Sequence, residues 1–313
     1  MRARLRHSTA AATVSSENVG LVVSLATRAT EVRAAQALRF RVFAEEMGAQ
    51  LHGPEVGIDC DYFDAYCHHL LVHDQATGEV VAYTRILTDT QAKRAGGFYS
   101  ESEFDLCNIR RLPGRVMEIG RTCVHPDYRN GAAIAVLWSG LAQFMESNRF
   151  DYLIGCASIP LTQDHTGIGT LYQQLASKHL SADSWRVAPK RPLPSHWSAT
   201  EETAKTASSP SLPPLLKAYM RLGAEICGAP CWDPDFKVAD LFILMAKDRM
   251  NPRYARHFLA RSEAQPDQAF KVRHFPRAYP GYPGRPRWNM FAALKSSFSH
   301  LKPKTNPTQL DGR

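Results

Sequence analysis

Residues 116–159 narrow the fold more than any other part of the chain. "VMEIGRTCV" is an apolar run of strand length, and "HPDYRNG" is a turn. "GAAIAVLWSGLAQFMESN" then repeats its apolar residues at the spacing of a buried helix, and "YLIGCASI" is a short apolar strand. Upstream, "HHLLVHD" and "VVAYTRILTD" read as two strands joined by "QATGE", a hairpin signal. Adjacent strands in a hairpin, with others separated by helices, predict an α/β fold with a mixed central β-sheet flanked by helices. Ala35, Leu38, Val42, Phe43 and Met47 recur at helical spacing between Val32 and Met47. "FYSESEFDL" reads as a short helix and "RLPGR" as a turn. "TGIGTLYQQLASKHL", "LLKAYMRLGAEIC" and "PRYARHFLA" read as helices, and "VADLFILMAK" as a buried strand.

Apolar residues make up 44% of the 313, enough for a sizeable core. No run reaches the roughly 18 apolar residues that span a bilayer. Residues 1–20 carry arginines but no apolar signal core, and are expected to be a disordered leader. A catalytic domain is expected over 21–261, interrupted by a Pro/Ser-rich loop at 187–214, with a basic tail at 262–313. The net charge of +8 is uneven: from residue 249 onward there are 13 Lys/Arg against 3 Asp/Glu, and the rest carries 25 against 27. In the tail Trp288, Phe291, Leu294, Phe298 and Leu301 form one apolar stripe beside basic residues, as in an amphipathic helix. A basic tail suits an acidic partner, whether anionic lipid, an acidic protein or nucleic acid, and the stripe favours an anionic membrane surface; no nucleic acid is expected. Seven cysteines without a C-x-x-C pair fit a reduced cytoplasmic compartment. Cys60, Cys67, His68 and His69 match no standard zinc spacing, and no metal is expected.

Several residues stand out chemically. Gly131 opens a helix beside the small residues Ala132 and Ala133, and a helix N-terminus offers unpaired N–H groups to a phosphate. Glu118, Arg121 and Arg85 interrupt apolar strands, and a charge in a buried strand needs a partner. Glu118 and Arg121 are three apart, so strict alternation sends them to opposite faces unless a bulge intervenes. Asp59, Asp61 and Asp64 lie close together, suited to gripping a cation or capping a turn. The chain has no G-x-x-x-x-G-K-[ST] phosphate loop and no G-x-S-x-G elbow.

"CVHPDYRNGAA" resembles the acyl-donor motif of the GCN5-related N-acyltransferase fold. Four stretches in order resemble acyl-homoserine-lactone synthases: "LRFRVF" with Arg39 and Phe43, "DCDYFD" with Asp61 and Asp64, "TRI" with Arg85, and "EIGR" with Glu118 and Arg121. Over about residues 20–260 the chain looks like the L-ornithine N-alpha-acyltransferases of bacterial ornithine lipid synthesis, once grouped with hemolysins. It departs from the lactone synthases at "MGAQ", where they carry a Trp, and Tyr128 takes the first polar position of the phosphate loop.

The resemblance implies amide formation, with a 3-hydroxyacyl chain moving from acyl carrier protein to the α-amine of ornithine. Its acyl donor is the carrier's 4′-phosphopantetheine, with no permanently bound cofactor. Glu118 is the expected base, with Arg121 and Arg85 beside it. Arg39, Phe43, Asp61 and Asp64 are expected around the substrate, and Arg129, Asn130, Gly131, Ala132 and Ala133 around the phosphate. A cytoplasmic protein, peripheral on the inner membrane, follows. The alternatives are a lactone synthase, an acetyl-CoA-dependent N-acetyltransferase and a non-enzymatic membrane-binding protein.

Overall fold

The hairpin forms as β2 (His68–Asp74) and β3 (Val80–Thr88). The sequence-defined strand–turn–helix–strand unit forms as β5 (Val116–Val124), α3 (Ala132–Ser147) and β6 (Tyr152–Pro160). The computed structural model describes residues 20–53, 55–161, 167–197, 212–251 and 270. Added to these strands are β1 (Leu21–Leu25), β8 (Glu225–Ile226), β9 (Cys231–Asp233) and β10 (Val238–Ala246). They hydrogen-bond in the order β1-β2-β3-β5-β6-β10-β8, with β9 also on β10. β5 and β6 run parallel because α3 carries the chain back between them, and the other pairings are antiparallel. The mixed sheet is therefore as expected. A separate two-strand ladder joins β4 (Phe104–Asp105) to β7 (Ala188–Pro189).

The two faces of the sheet are covered differently. Leu70, Val72, Met117, Ile119, Leu153, Leu241 and Ile243 face one side, under α3, α4 (Ile168–His179) and α5 (Pro214–Leu222). α3 brings Leu137, Leu141, Phe144 and Met145 to that core, each side chain contributing about 1.5–3 kcal/mol by burial. Gly140 lets α3 settle onto β1, since a Cβ there would stand 2.5 Å from Val23. Phe270 is fully buried in the same core, and its carbonyl accepts from the Asn148 side chain at 2.8 Å. Apart from Phe270, residues 252–313, which include the expected basic tail and the helix expected at "PRYARHFLA", lie outside the described residues, as do residues 1–19 and residues 198–211 of the Pro/Ser-rich stretch.

On the opposite face the core is split. α1 (Ala29–Phe40) packs Ala35 and Leu38 against Leu71 and Tyr83, and a π-helical stretch, Arg41–Glu46, adds Val42 and Phe43. Glu31 holds the start of α1 by accepting from the backbone N–H of Thr27 and Arg28. Further along, Phe104, Leu106, Ile109 and Leu112 cover Val116, Ile154, Phe242 and Leu244. Between these two apolar patches lies a polar seam on the same face, carrying His69, Arg85, Glu118, Cys156, Ser158 and Asp240 at cross-strand positions. Here β5 and β6 pair over residues 116–118 and 152–154 and then part, although each strand continues. Gly155 sits at the fork, where a Cβ would meet the Ile119 carbonyl at 2.6 Å.

Among the described residues, no helix is long and apolar enough to cross a membrane.

Candidate functional site

A bulge decides the site. Tyr83 opposes Cys123 and Arg85 opposes Gly120, so Arg121 and Thr122 together occupy one rung of the β3–β5 ladder. Arg121 takes up the extra residue in a left-handed conformation, φ 53°. Its guanidinium thereby reaches the same carboxylate as that of Arg85. Arg85 Nη1 donates to Asp61 Oδ1 at 2.5 Å and Arg121 Nη2 to Asp61 Oδ2 at 3.2 Å.

Asp59, Asp61 and Asp64 interleave with Arg39, Arg85 and Arg121. Arg39 donates from Nε to Asp59 at 2.8 Å and from Nη1 to both Asp64 oxygens at 2.8 and 2.9 Å. Arg85 Nη1 also reaches Asp64 at 2.8 Å, and Arg121 Nε lies 3.3 Å from Asp59. α1 supplies Arg39 together with Gln36, whose amide donates to Asp64 at 3.0 Å. The carboxylates come from the loop before the short turn Tyr62–Tyr66 and from the turn itself, which Asp61 caps by accepting from Phe63 N. Charges this deep persist only when paired. Burial works against the Asp64 carboxylate, but Arg39 and Arg85 hold its pKa well below the ordinary range. Burial likewise opposes the charge on Arg39, and Asp64 and Asp59 more than restore it. Beside them burial lowers the His69 pKa to about 4, so the ring is neutral at pH 7. It bridges the Tyr83 hydroxyl at 2.7 Å and the Asp64 carbonyl at 3.0 Å. The Tyr99 ring lies 5.3 Å from the Arg85 guanidinium and 5.2 Å from that of Arg121.

Glu118 occupies the last paired rung before the fork and is 3% exposed. It accepts from the backbone N–H of Tyr99 at 2.7 Å and of Ser100 at 2.8 Å, and from the Ser100 hydroxyl. Burial raises its pKa, and these donors offset only part of the effect. A small pocket brings Glu118 together with Arg85, Tyr99, Phe63 and Gly120. Arg85 Nη2 is buried and has no hydrogen-bond partner among the described residues.

The turn before α3 lies beyond the bulge. Gly131 caps the helix with φ 98°, a conformation that suits glycine. The Asn130 side chain accepts from Ala132 N at 3.0 Å, and the Arg129 guanidinium pairs with Glu46 while its Nε donates to the Val124 carbonyl at 3.1 Å.

A family model described as acetyltransferase (GNAT) domain matches residues 38–139. The L-ornithine N(alpha)-acyltransferase of Brucella abortus (strain 2308) is 35% identical over 255 residues, which cover 76% of this chain and 88% of that protein. The L-ornithine N(alpha)-acyltransferase of Rhizobium meliloti (strain 1021) is 35% identical over 271 residues, covering 80% and 89%. The chain belongs to the L-ornithine N(alpha)-acyltransferase family. It is an acyltransferase with the GNAT fold. Among solved structures it is similar to a CoA-dependent acyl-homoserine lactone synthase, BjaI, at 14% identity and a TM-score of 0.48, covering 78% of this chain and 90% of that one.

In this family member, Arg39, Asp61, Asp64, Arg85, Glu118 and Arg121 gather along the seam. Phe43 stands at the margin, its ring 5.7 Å from Phe236, whose own ring lies 4.6 Å from the Arg121 guanidinium. Arg129, Asn130, Gly131, Ala132 and Ala133 form a separate group at the far end of β5. Asp61 and Asp64, read from sequence as substrate ligands, are engaged by guanidinium groups of the chain itself, which cancels the charge that would draw a cation. Sequence reasoning did not single out Tyr99 and Ser100, which hold Glu118 mainly through backbone N–H groups. It also passed over Asp240, a lone carboxylate in the apolar run "VADLFILMAK".

Proposed function

We propose that this acyltransferase moves a 3-hydroxyacyl chain from the 4′-phosphopantetheine thioester of acyl carrier protein to the α-amine of L-ornithine, forming a lyso-ornithine lipid. The observation that carries this reading is Glu118, a buried carboxylate of raised pKa on the rung where β5 and β6 part. The names of the relatives support the acceptor.

In this reading the pantetheine arm lies in the fork, and backbone N–H groups of β5 beyond Glu118 polarise the thioester carbonyl. Glu118 takes a proton from the α-ammonium, directly or through a water. The freed nitrogen attacks the carbonyl carbon and the C–N bond forms; the C–S bond breaks as the nitrogen loses its second proton, which goes to the leaving thiolate, and Glu118 releases its own proton to solvent. The partnerless Nη2 of Arg85 receives the amino acid's carboxylate. The N–H groups of Ala133 and Ile134, next after the one Asn130 already holds, face the phosphate together with Arg129. The product is amphiphilic, and a net charge of +8 favours an anionic surface, in keeping with work at the cytoplasmic face of the inner membrane.

The test supplies purified full-length protein with 3-hydroxyacyl carrier protein and, separately, ornithine, lysine and neutral amino acids. Carrier thiol release and product mass are read. Ornithine is expected to give the fastest release, and carrier thioesters to outperform the same chains on coenzyme A. Equal rates on both donors would overturn the carrier assignment.

A further inference from the structure

A second carboxylate trio differs from the first in forming no ion pair among the described residues. Glu103, Asp233 and Asp240 are 2%, 6% and 3% exposed, and one ligating oxygen from each lies within 4.8 Å of the others. Asp240 accepts from Ser158 at 2.6 Å, and Asp233 from the backbone N–H of Asp235 and Phe236. Glu103 Oε2 is buried and has no hydrogen-bond partner among the described residues. The charges acting on the trio are Arg191 on Glu103 and Arg121 on Asp240, but Arg121 is itself paired with Asp59 and Asp61. Glu103 hydrogen-bonds Asp240 and Cys156, yet one of its buried oxygens has no partner among the described residues and no ion pair there neutralises the trio, an imbalance that a bound cation would relieve.

The location says which cation. Glu103 follows directly on the turn Tyr99–Ser102 that holds Glu118. Ser100 Oγ touches both Glu118 and, at 3.3 Å, Cys156 Sγ, and Cys156 hydrogen-bonds Glu103. Cys156, Ser158 and Asp240 share the sheet face of Glu118. We propose that Glu103, Asp233 and Asp240 are the subsite for the side-chain ammonium of a basic amino-acid acceptor. This rests on the amino-acid reading above and adds what holds the second amine. A side-chain ammonium has three N–H donors that reach acceptors at about 2.8 Å. Acceptors placed tetrahedrally around it stand roughly 4.6 Å apart, a span that three oxygens lying within 4.8 Å of one another can accommodate. Burial and mutual repulsion raise the pKa of Asp240 to about 7 and that of Glu103 well above the ordinary range, as expected of carboxylates poised for a cation.

The test compares ornithine with norvaline, the same side chain without its amine, in the full-length protein, Glu103→Gln and Asp240→Asn. The unsubstituted enzyme is expected to prefer ornithine at least 100-fold in kcat/KM. In either variant that preference should fall at least tenfold, through KM for ornithine. Failure of the unsubstituted enzyme to discriminate would sink the ornithine reading itself, whereas discrimination kept in folded variants would sink only this subsite. A measurement on the unsubstituted protein guards against variants that do not fold. At pH 6, calorimetry in buffers of different ionisation enthalpy should show extra protons released on ornithine binding relative to norvaline, because the carboxylates ionise to meet the ammonium. Equal proton release, or saturable Mg²⁺ binding that Glu103→Gln abolishes, overturns the assignment.

Discussion

Ser100 holds Glu118 by two groups at one oxygen: its backbone N–H donates to Oε1 at 2.8 Å and its hydroxyl donates to the same atom. Both contacts favour the ionised carboxylate against burial, which disfavours it. Removing the hydroxyl in Ser100→Ala should therefore raise the Glu118 pKa further. The acid limb of the kcat/KM profile should move to higher pH, with the plateau changed by less than about tenfold. A limb that stays in place or moves down would show that Glu118 does not set it.

Glu118→Gln keeps the shape of the side chain and its acceptor oxygen but cannot take a proton. Turnover should fall by roughly 100-fold or more, and the acid limb should disappear. Circular dichroism should be unchanged. Near-normal turnover in the folded variant removes Glu118 from proton transfer.

The pairing of Asp64 with Arg39 and Arg85 sets an acid limit on stability. Its folded pKa lies below the unfolded value near 3.8, so the native state is favoured above that pH and loses this contribution as pH falls further. Asp64→Asn strands two buried guanidinium groups and should cost about 3–5 kcal/mol at pH 7, measured by urea titration.

Asp240 has the opposite sign. Its folded pKa of about 7 lies above the unfolded 3.8, so stability is lost as pH rises through that window and stays lost above it. Without amino acid, Asp240→Asn should raise the melting temperature at pH 8 by several degrees and leave it nearly unchanged at pH 4. A variant equally stabilised at both pH values would show that charge at Asp240 is not the cause.

Phe270 predicts where the catalytic unit can be cut. Phe270→Ala should cost about 3–5 kcal/mol, because the ring is fully buried. A chain ending at residue 261 should lose at least as much, and one ending at 274 should keep near-native stability by urea titration.

The regular framework was legible because it obeys simple periods. The strand–turn–helix–strand of residues 116–159 and the hairpin of residues 68–88 needed only apolar spacing and turn residues. "FYSESEFDL" was read as a helix but forms a single turn, Tyr99–Ser102, before a short strand. Backbone donation from that turn to Glu118, a long-range contact, fixes it, and no local pattern reports such a contact. Arg121 shows a similar limit. Alternation sends it away from Glu118, and only the extra residue in β5 brings it back. Asp240 was legible in principle, since a charge inside an apolar strand is the signal that marked Glu118. Glu103 and Asp233 join it only through the pairing of β9 with β10 and the path of the turn over the sheet.

The interlock of Arg39, Arg85 and Arg121 with Asp59, Asp61 and Asp64 has a consequence for how this protein can diverge. Each guanidinium touches two of the carboxylates, and each carboxylate touches two guanidiniums. No member can be exchanged for a neutral residue without leaving an odd charge in the interior, and the balance returns only when a member of opposite sign is lost as well. A lineage leaving this arrangement must cross an intermediate several kcal/mol less stable than either end. The six positions should therefore change in oppositely charged pairs or not at all, while the surrounding surface changes freely.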